Sequence, residues 1–150
     1  MGTTSDETPA RLKNKPSWLL THVAVHAGRL VSEGFAAADA RGYQYALLTA
    51  LHEFGPSSQA TLGRRCGIDR SDVVATVNEL VDGKLAERTP DPADRRRNTI
   101  RITRAGLRKL RQLETMLGGV QDELLAPLST AERDELTRLL TRLLDHHTAG

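Results

Sequence analysis

The stretch that decides the fold is "LGRRCGIDRSDVVATVNELVDGKLAERTPDPADRRRNTIRITRAG", which runs from residue 62 to residue 106. Its first half carries apolar residues at helical spacing, and glycines at Gly67 and Gly83 interrupt and then end that pattern. After Gly83 the spacing changes to alternation in "KLAERT" and "NTIRIT", which predicts the two strands of a β-hairpin. The stretch therefore predicts helix, tight turn, helix and hairpin, the order of a winged helix-turn-helix.

Positive charge is concentrated at and after this hairpin. Its tip, "PDPADRRR", carries three consecutive arginines. Residues 84–111 hold ten basic and three acidic side chains, a net charge of +7, whereas the whole chain has a formal net charge of +2. Like charges on an exposed tip repel one another unless a polyanion neutralises them, so double-stranded DNA is the expected partner. The alternative is a solvated loop without a partner.

The sequence on both sides of this stretch is predicted to be helical. One helix should begin at Pro16 or Ser17, a second lies in "GYQYALLTALHEFG", and a short third lies in "SSQATLGRRCG" with Ser58 as its N-cap. After the hairpin, Thr103 can cap a long helix, and a Ser129…Glu132 capping box opens the last one. The predicted fold class is mainly α with a small β-hairpin wing, a winged helix-turn-helix domain flanked by N- and C-terminal dimerisation helices. The expected divisions are a disordered terminus (1–11), an N-terminal dimerisation helix (12–40), the DNA-binding domain (41–106) and C-terminal dimerisation helices (107–147).

The helix over residues 70–82 is the predicted recognition helix, because it follows the tight turn. Val73, Val77 and Leu80 form its inward side, which leaves the opposite side to face the major groove of DNA. Ala75 could contact a thymine methyl group, and Asp72 is equally consistent with a first-turn residue that stabilises the helix start. The residues predicted to contact DNA are Ser57, Ser58, Gln59, Arg70, Ser71, Asp72, Ala75, Thr76, Asn78, Arg95, Arg96 and Arg97.

Residues 62–106 resemble the MarR family of winged-helix transcription regulators. The pattern Leu-x-Arg-Arg-x-Gly-Ile-Asp-Arg-Ser and the wing Asp-Pro-x-Asp-Arg-Arg, followed by Ile-Thr-x-x-Gly, carry the resemblance. It implies an obligate homodimer with intertwined terminal helices, a palindromic operator, repression of a nearby gene, and release by a small phenolic or carboxylate effector. Val74 and Ala75 depart from the pattern, since the family often has a polar residue and an arginine there.

The terminal helices carry more apolar surface than so small a domain needs to bury. The last helix has five leucines at alternating spacings of three and one, which make one continuous apolar face. A seam between two copies is favoured over burial within one subunit, because symmetric operators require two-fold proteins. The residues predicted to form the dimer interface are Leu19, Leu20, Val23, Leu136, Leu139, Leu140 and Leu143.

An effector pocket is predicted between the first long helix and the winged domain. Histidine and tyrosine side chains there would suit an anionic aromatic guest. The residues predicted to line it are Trp18, His22, His26, Tyr43 and Tyr45. Alternatively, Trp18 belongs to the core, and the four-residue spacing of His22 and His26 serves a metal, although the sequence shows no third ligand. No metal site and no cofactor is therefore predicted.

Other functional classes have weaker support. No nucleophile–base pairing or glycine-rich phosphate loop points to an enzyme, and the apolar runs are shorter than a bilayer requires. The first ten residues lack the features of a secretory signal, so a cytoplasmic protein is expected. Cys66, the single cysteine, is predicted to be a buried, inert thiol and not a redox sensor. Two alternatives stay open: a winged-helix protein-interaction module without specific DNA binding, and a redox- or metal-responsive regulator.

Overall fold

The computed structural model describes residues 7–94 and 96–150. In these ranges the helices and strands follow one another in the predicted order, which confirms the fold class. They are α1 (Ala10–Lys13), α2 (Pro16–Ala37), α3 (Gly42–Phe54), β1 (Ser57–Ser58), α4 (Gln59–Cys66), α5 (Arg70–Asp82), β2 (Ala86–Pro90), β3 (Asn98–Ile102), α6 (Arg104–Leu124) and α7 (Thr130–Thr148).

Local chemistry accounts for the ends of these helices. Pro16 is the first residue of α2, a position where the missing N–H of proline costs nothing. Gly67 ends α4 with φ of 64°, a left-handed conformation that glycine adopts without strain. The Thr103 hydroxyl accepts the Gly106 N–H at 3.0 Å and so starts α6. Ser129 forms the predicted capping box of α7.

The structure differs from the sequence prediction at two places. Residues 10 and 11, assigned to the N-terminal tail, belong to the four-residue helix α1. Ser57 and Ser58, which the sequence predicts to start the short helix in "SSQATLGRRCG", form the short strand β1 instead. That helix is α4, and it begins at Gln59. A strand of two residues shows no alternation of its own, so only its pairing with the hairpin defines it.

The sheet has three antiparallel strands in the order β1-β3-β2. In the hairpin, Ala86 pairs with Ile102 and Pro90 with Asn98, while Ser57 pairs with Ile100 on the other side of β3. Ile100 is fully buried at the centre of the sheet. The wing is therefore fixed at its root to the segment that leads into α4.

The core lies in the middle of the chain. It is made of aliphatic side chains, with Phe35 and Tyr45 ring to ring at its edge, 6.0 Å between centroids. Its buried members are Leu47, Leu48, Ala50, Leu51, Leu62, Ile68, Val73, Val77, Leu80, Ala86, Ile100 and Leu110. These residues come from α3, α4, α5, the hairpin and the start of α6, so the core holds the helix-turn-helix and the wing together.

Helices α2 and α6 pack against each other outside this core. Gly34 of α2 faces Met116 and Val120 of α6, and a methyl group added at Gly34 would lie 2.6 Å from the Met116 Sδ atom. Lys109 Nζ donates to the Ala38 carbonyl at 2.7 Å, next to the C-terminal end of α2. Within the described residues, no helix has both the length and the apolar content to cross a membrane.

Candidate nucleic-acid interface

The turn between α4 and α5 holds these two helices close together. Gly63 permits the approach, because a methyl group there would lie 3.1 Å from the Ile68 carbonyl oxygen and 3.2 Å from Val73 Cγ2. The Ile68 N–H donates to the Gly63 carbonyl at 3.0 Å, and Leu62 behind it is fully buried. Helix α5 is thereby held at a fixed angle and presents its outer side to solvent.

Helix α5 divides into a buried and an exposed side. Val73, Thr76, Val77 and Leu80 are buried. The exposed stripe consists of Ser71, Val74, Ala75 and Asn78. Three of the predicted contact residues therefore lie on the outward side, while Asp72 is half-buried in the first turn.

Thr76 is a wrong prediction. Its side chain is only 4% exposed. It stands three residues after Val73 and four before Leu80, which places it on the inward face despite its polar hydroxyl. It cannot reach a base in this structure.

A groove brings the remaining elements of the interface together. We call it the arginine groove; its volume is about 410 Å³. It lies where the start of α4, the start of α5 and the wing meet. Its lining residues are Ser58, Gln59, Ala60, Thr61, Arg64, Arg70, Arg96, Arg97 and Asn98.

The arginine groove collects five residues that the sequence predicted and four that it did not: Ala60, Thr61, Arg64 and Asn98. Of these four, Arg64 adds a further positive charge. The signal for Arg64 was its spacing, because it lies four residues after Ala60 and shares its helix face. Asn98 could have been found as the first residue after the wing arginines.

Ser58 and Ser57 have different roles. Ser58 Oγ accepts the Thr61 N–H at 3.1 Å and caps α4, as predicted. Ser57 is a wrong prediction: it is 6% exposed, its hydroxyl donates to the Gly55 carbonyl at 2.9 Å, and it accepts from Arg65 Nη1 at 3.2 Å. Its burial and these two hydrogen bonds show that the side chain of Ser57 is directed into the protein.

The wing tip is held by two aspartates. Asp91 Oδ1 accepts the Ala93 N–H at 2.9 Å, and Asp94 Oδ1 accepts the Arg96 N–H at 3.0 Å. Arg97 Nε lies 3.9 Å from Asp94 Oδ2, an exposed ion pair of little energetic weight. Arg96 and Arg97 are both exposed, whereas Arg95 lies outside the described residues. Arg96 and Arg97 thus present two cations at the tip.

Three polar contacts, to Asn78 and Glu79, fix the far half of α5. Arg88 of β2 donates to Asn78 Oδ1 at 2.6 Å. Glu79 accepts from Arg41 and, at 2.9 Å, from Gln44 Nε2. The wing and the start of α3 therefore both hold the recognition helix.

The predicted effector residues are only partly brought together. The Trp18 and His22 rings stack with 3.7 Å between centroids, and His22 Nδ1 donates to the Trp18 carbonyl at 2.8 Å. That bond leaves Nε2 of His22 for another partner. Tyr45 packs against Phe35, while His26 and Tyr43 are exposed. Among the described residues, no three histidine, cysteine, aspartate or glutamate side chains form a group suited to a metal.

The leucines predicted at the dimer interface are not covered by their own chain. On α2, Leu19, Leu20 and Val23 are exposed. On α7, the exposed large apolar residues are Leu139, Leu140, Leu143 and Leu144, and Leu136 is half-buried. An apolar face of this length on a terminal helix is a typical surface for another protein chain.

Cys66 is a half-buried thiol at the end of α4. Its Sγ lies 3.5 Å from the Ala46 carbonyl, to which the thiol donates. Burial raises its pKa, and nearby Arg65 lowers it less. Both observations favour a protonated, unreactive thiol.

Together, the turn between α4 and α5, the exposed stripe of α5 and the cationic wing define a winged helix-turn-helix protein. A family model described as the MarR family matches residues 39–97. Over these residues the chain is similar to the MarR family.

Three relatives illustrate the similarity. The chain is 29% identical over 102 residues to the HTH-type transcriptional repressor NicR of Pseudomonas putida, covering 68% of this chain and 65% of NicR. It is 34% identical over 99 residues to a putative transcriptional regulatory protein for the hcr operon of Thauera aromatica, covering 66% and 60%. The match therefore spans less than two thirds of these two curated relatives. The crystal structure of the PcaV transcriptional regulator of Streptomyces coelicolor with its natural ligand has a TM-score of 0.73 and 29% identity, covering 95% of this chain and 99% of PcaV.

Proposed function

We propose that this chain is a dimeric, sequence-specific DNA-binding transcription regulator that represses its target until a small anionic or aromatic effector releases it. The arginine groove carries the proposal, because Arg70, Arg96 and Arg97 converge there with the capped start of α4. A helix fits the major groove, and arginines beside it neutralise phosphates. The relative NicR is itself a transcriptional repressor by name.

The salt dependence of DNA binding tests the role of the arginines. The probe is a fluorescent duplex from the region upstream of the protein's own coding sequence, titrated across a salt series. Arg70→Ala and Arg96→Ala should each weaken binding and reduce the slope of log affinity against log salt by about 1. Arg138→Ala is the control, since Arg138 lies on α7 in an exposed ion pair with Glu135. It should leave the slope unchanged.

A second function, a protein-interaction module, is favoured by the two apolar residues on the exposed stripe, Val74 and Ala75. Under this alternative the wild type shows weak DNA affinity, and Arg96→Ala leaves it unaltered. The same titration therefore distinguishes the two functions.

The dimer follows from the uncovered leucines of α2 and α7. Two copies that cover these faces would place two recognition helices about 34 Å apart, one turn of DNA. Sedimentation velocity should show a dimer, and Leu143→Glu should convert it to a monomer. Thr141→Glu introduces the same charge on a different side of α7 and should leave the dimer intact.

The effector site is centred on the Trp18–His22 stack. The indole face suits an aromatic ring, and the imidazole suits an anionic group. The solved PcaV regulator has a natural ligand bound, which supports a small-molecule site here. A thermal-shift screen of aromatic carboxylates should find compounds that raise the melting temperature by mass action. His22→Ala should abolish the shift, whereas His52→Ala, an exposed histidine on α3, should retain it.

We infer further that the chain is not an enzyme and acts in the cytoplasm. The named relatives are regulators of transcription, and DNA is the partner that the cationic surface suits.

A further inference from the structure

The exposed stripe of the recognition helix is unusually apolar at its centre. Val74 is 38% exposed although valine is usually buried, and Ala75 beside it is also exposed. Ser71 lies one turn before this pair and Asn78 one turn after it. The middle of the stripe therefore offers methyl groups rather than hydrogen-bonding groups.

The polar residue at the end of the stripe has limited capacity to read bases. Bidentate recognition of adenine requires the asparagine oxygen to accept from N6 while its nitrogen donates to N7. The Asn78 oxygen already accepts from Arg88 Nη2 at 2.6 Å. Ser71 carries a single hydroxyl, which pairs with many bases. Hydrogen bonds from this stripe therefore discriminate poorly between base pairs.

The partner of the apolar pair should be a methyl group in the major groove. Thymine projects its C5-methyl group there, and apolar side chains contact it. Arg70, the first residue of α5, and Arg64 of α4 line the arginine groove and supply charge complementary to the flanking phosphates. Arg70 is directly followed by Ser71, the first residue of the exposed stripe, so a duplex held by these arginines lies next to the start of the stripe.

We propose that Val74 and Ala75 read the C5-methyl groups of pyrimidines in each operator half-site, so that 5-methylcytosine can substitute for thymine at these positions. The proposal rests on the proposed DNA-binding function and names the chemical group that this site recognises. It predicts specificity through methyl contacts, with phosphate contacts supplying most of the affinity.

The probe is a duplex enriched from a random pool by the purified wild-type protein. Each thymine of its half-sites is replaced in turn by deoxyuridine, which removes only the C5-methyl group. At one or two positions per half-site, affinity should fall by about fourfold, the factor for one buried methyl group. Thymines outside the half-sites should show no effect.

A matched variant assigns the effect to Val74. Val74→Thr keeps the shape and replaces one methyl group with a hydroxyl, so the thymine-to-uracil ratio should fall towards one at a specific position. Val25→Thr makes the same change at an exposed site on α2 and should keep the ratio. In a duplex carrying cytosine at that position, methylation at C5 should strengthen binding to wild type by about fourfold.

The possible outcomes distinguish a failure of methyl readout from a failure of the proposed DNA-binding function. An enriched sequence whose binding is insensitive to every uracil replacement overturns methyl readout and leaves the regulator function standing. A uracil effect that persists unchanged in both Val74→Thr and Ala75→Ser also overturns it. If the random pool yields no enriched sequence, sequence-specific binding and methyl readout fail together.

Discussion

The winged domain and the terminal helices use the same aliphatic residues in opposite ways. In the winged domain, Leu47, Leu62 and Leu80 are fully buried by their own chain. On α7, Leu139 and Leu143 keep roughly half of their surface exposed. Both regions have helical apolar spacing, so spacing alone does not reveal which face finds its cover within the chain. The winged domain has a complete core, whereas the terminal helices leave an apolar surface partly exposed.

Glycines show the same contrast. Gly106, at the root of the wing, is buried, and an added Cβ would lie 2.1 Å from the Leu85 carbonyl oxygen. Gly28, on the terminal helix α2, has nothing within 4 Å of the same position. Close packing at the wing root makes Gly106 sensitive to one added methyl group, while α2 has room at Gly28.

The largest expected effect comes from truncating leucines in the two regions. Leu48→Ala should lower the free energy of unfolding by about 2.7–5 kcal/mol, because it removes contacts and leaves a cavity in a closed core. Leu143→Ala should have an effect that depends on protein concentration, since a second copy is its proposed cover. Urea unfolding at several protein concentrations measures both. A concentration-independent loss for Leu143→Ala would contradict the assignment of α7 to a dimer seam.

A smaller effect, of the opposite sign in the two regions, is expected from alanine at the two glycines. Gly106→Ala should destabilise by about 1–3 kcal/mol, because backbone at the wing root must move. Gly28→Ala should stabilise by about 0.5–1 kcal/mol, because alanine favours a helix interior. Thermal unfolding of the two variants beside the wild type checks the pair. If both variants changed the stability equally, the difference in packing around Gly106 and Gly28 would not determine the effect of the added methyl group.

Much of the fold could be predicted from the sequence, because its signals are local. Gly67 needs its left-handed turn, Thr103 caps the helix after it, and alternation after Gly83 marks the hairpin. Strand β1 could not be predicted, since its two residues are defined only by their partners in β3. Long-range pairing is the part of the fold that local patterns do not contain.

The site is harder to predict than the fold, because residue type is a poor guide to exposure in this domain. Thr76 and Ser57 are polar and buried, whereas Val74 is apolar and exposed. In each case position on the element determines the outcome, and the tight approach at Gly63 fixes the orientation of α5. Arg64 was missed because its role depends on the arginines of a distant wing, which only the folded chain brings near it.

The smallest expected effect is a pH dependence of stability that arises at the start of α7. Side chains there are exposed and charged and do not pack in a core. The Ser129 N–H and hydroxyl hydrogen-bond to Glu132, which holds the pKa of the Glu132 carboxyl below its usual value. Its charged form is therefore favoured in the folded state. The stabilisation is present above the ordinary glutamate pKa of about 4.3 and is lost as pH falls through the lower folded-state pKa.

Glu132→Gln should keep the capping geometry and remove this pH dependence. The measurement is the urea midpoint of wild type and variant between roughly pH 7 and pH 3, across the range in which a glutamate titrates. The two curves should differ at neutral pH and converge in acid, since both side chains are then uncharged. Glu53→Gln, an exposed glutamate of α3 outside any capping box, controls for the loss of one surface charge. If the curves for Glu132→Gln and wild type are parallel at every pH, the capping box contributes through geometry alone. Charge in the terminal region then has little local structural role, as its surface exposure suggests.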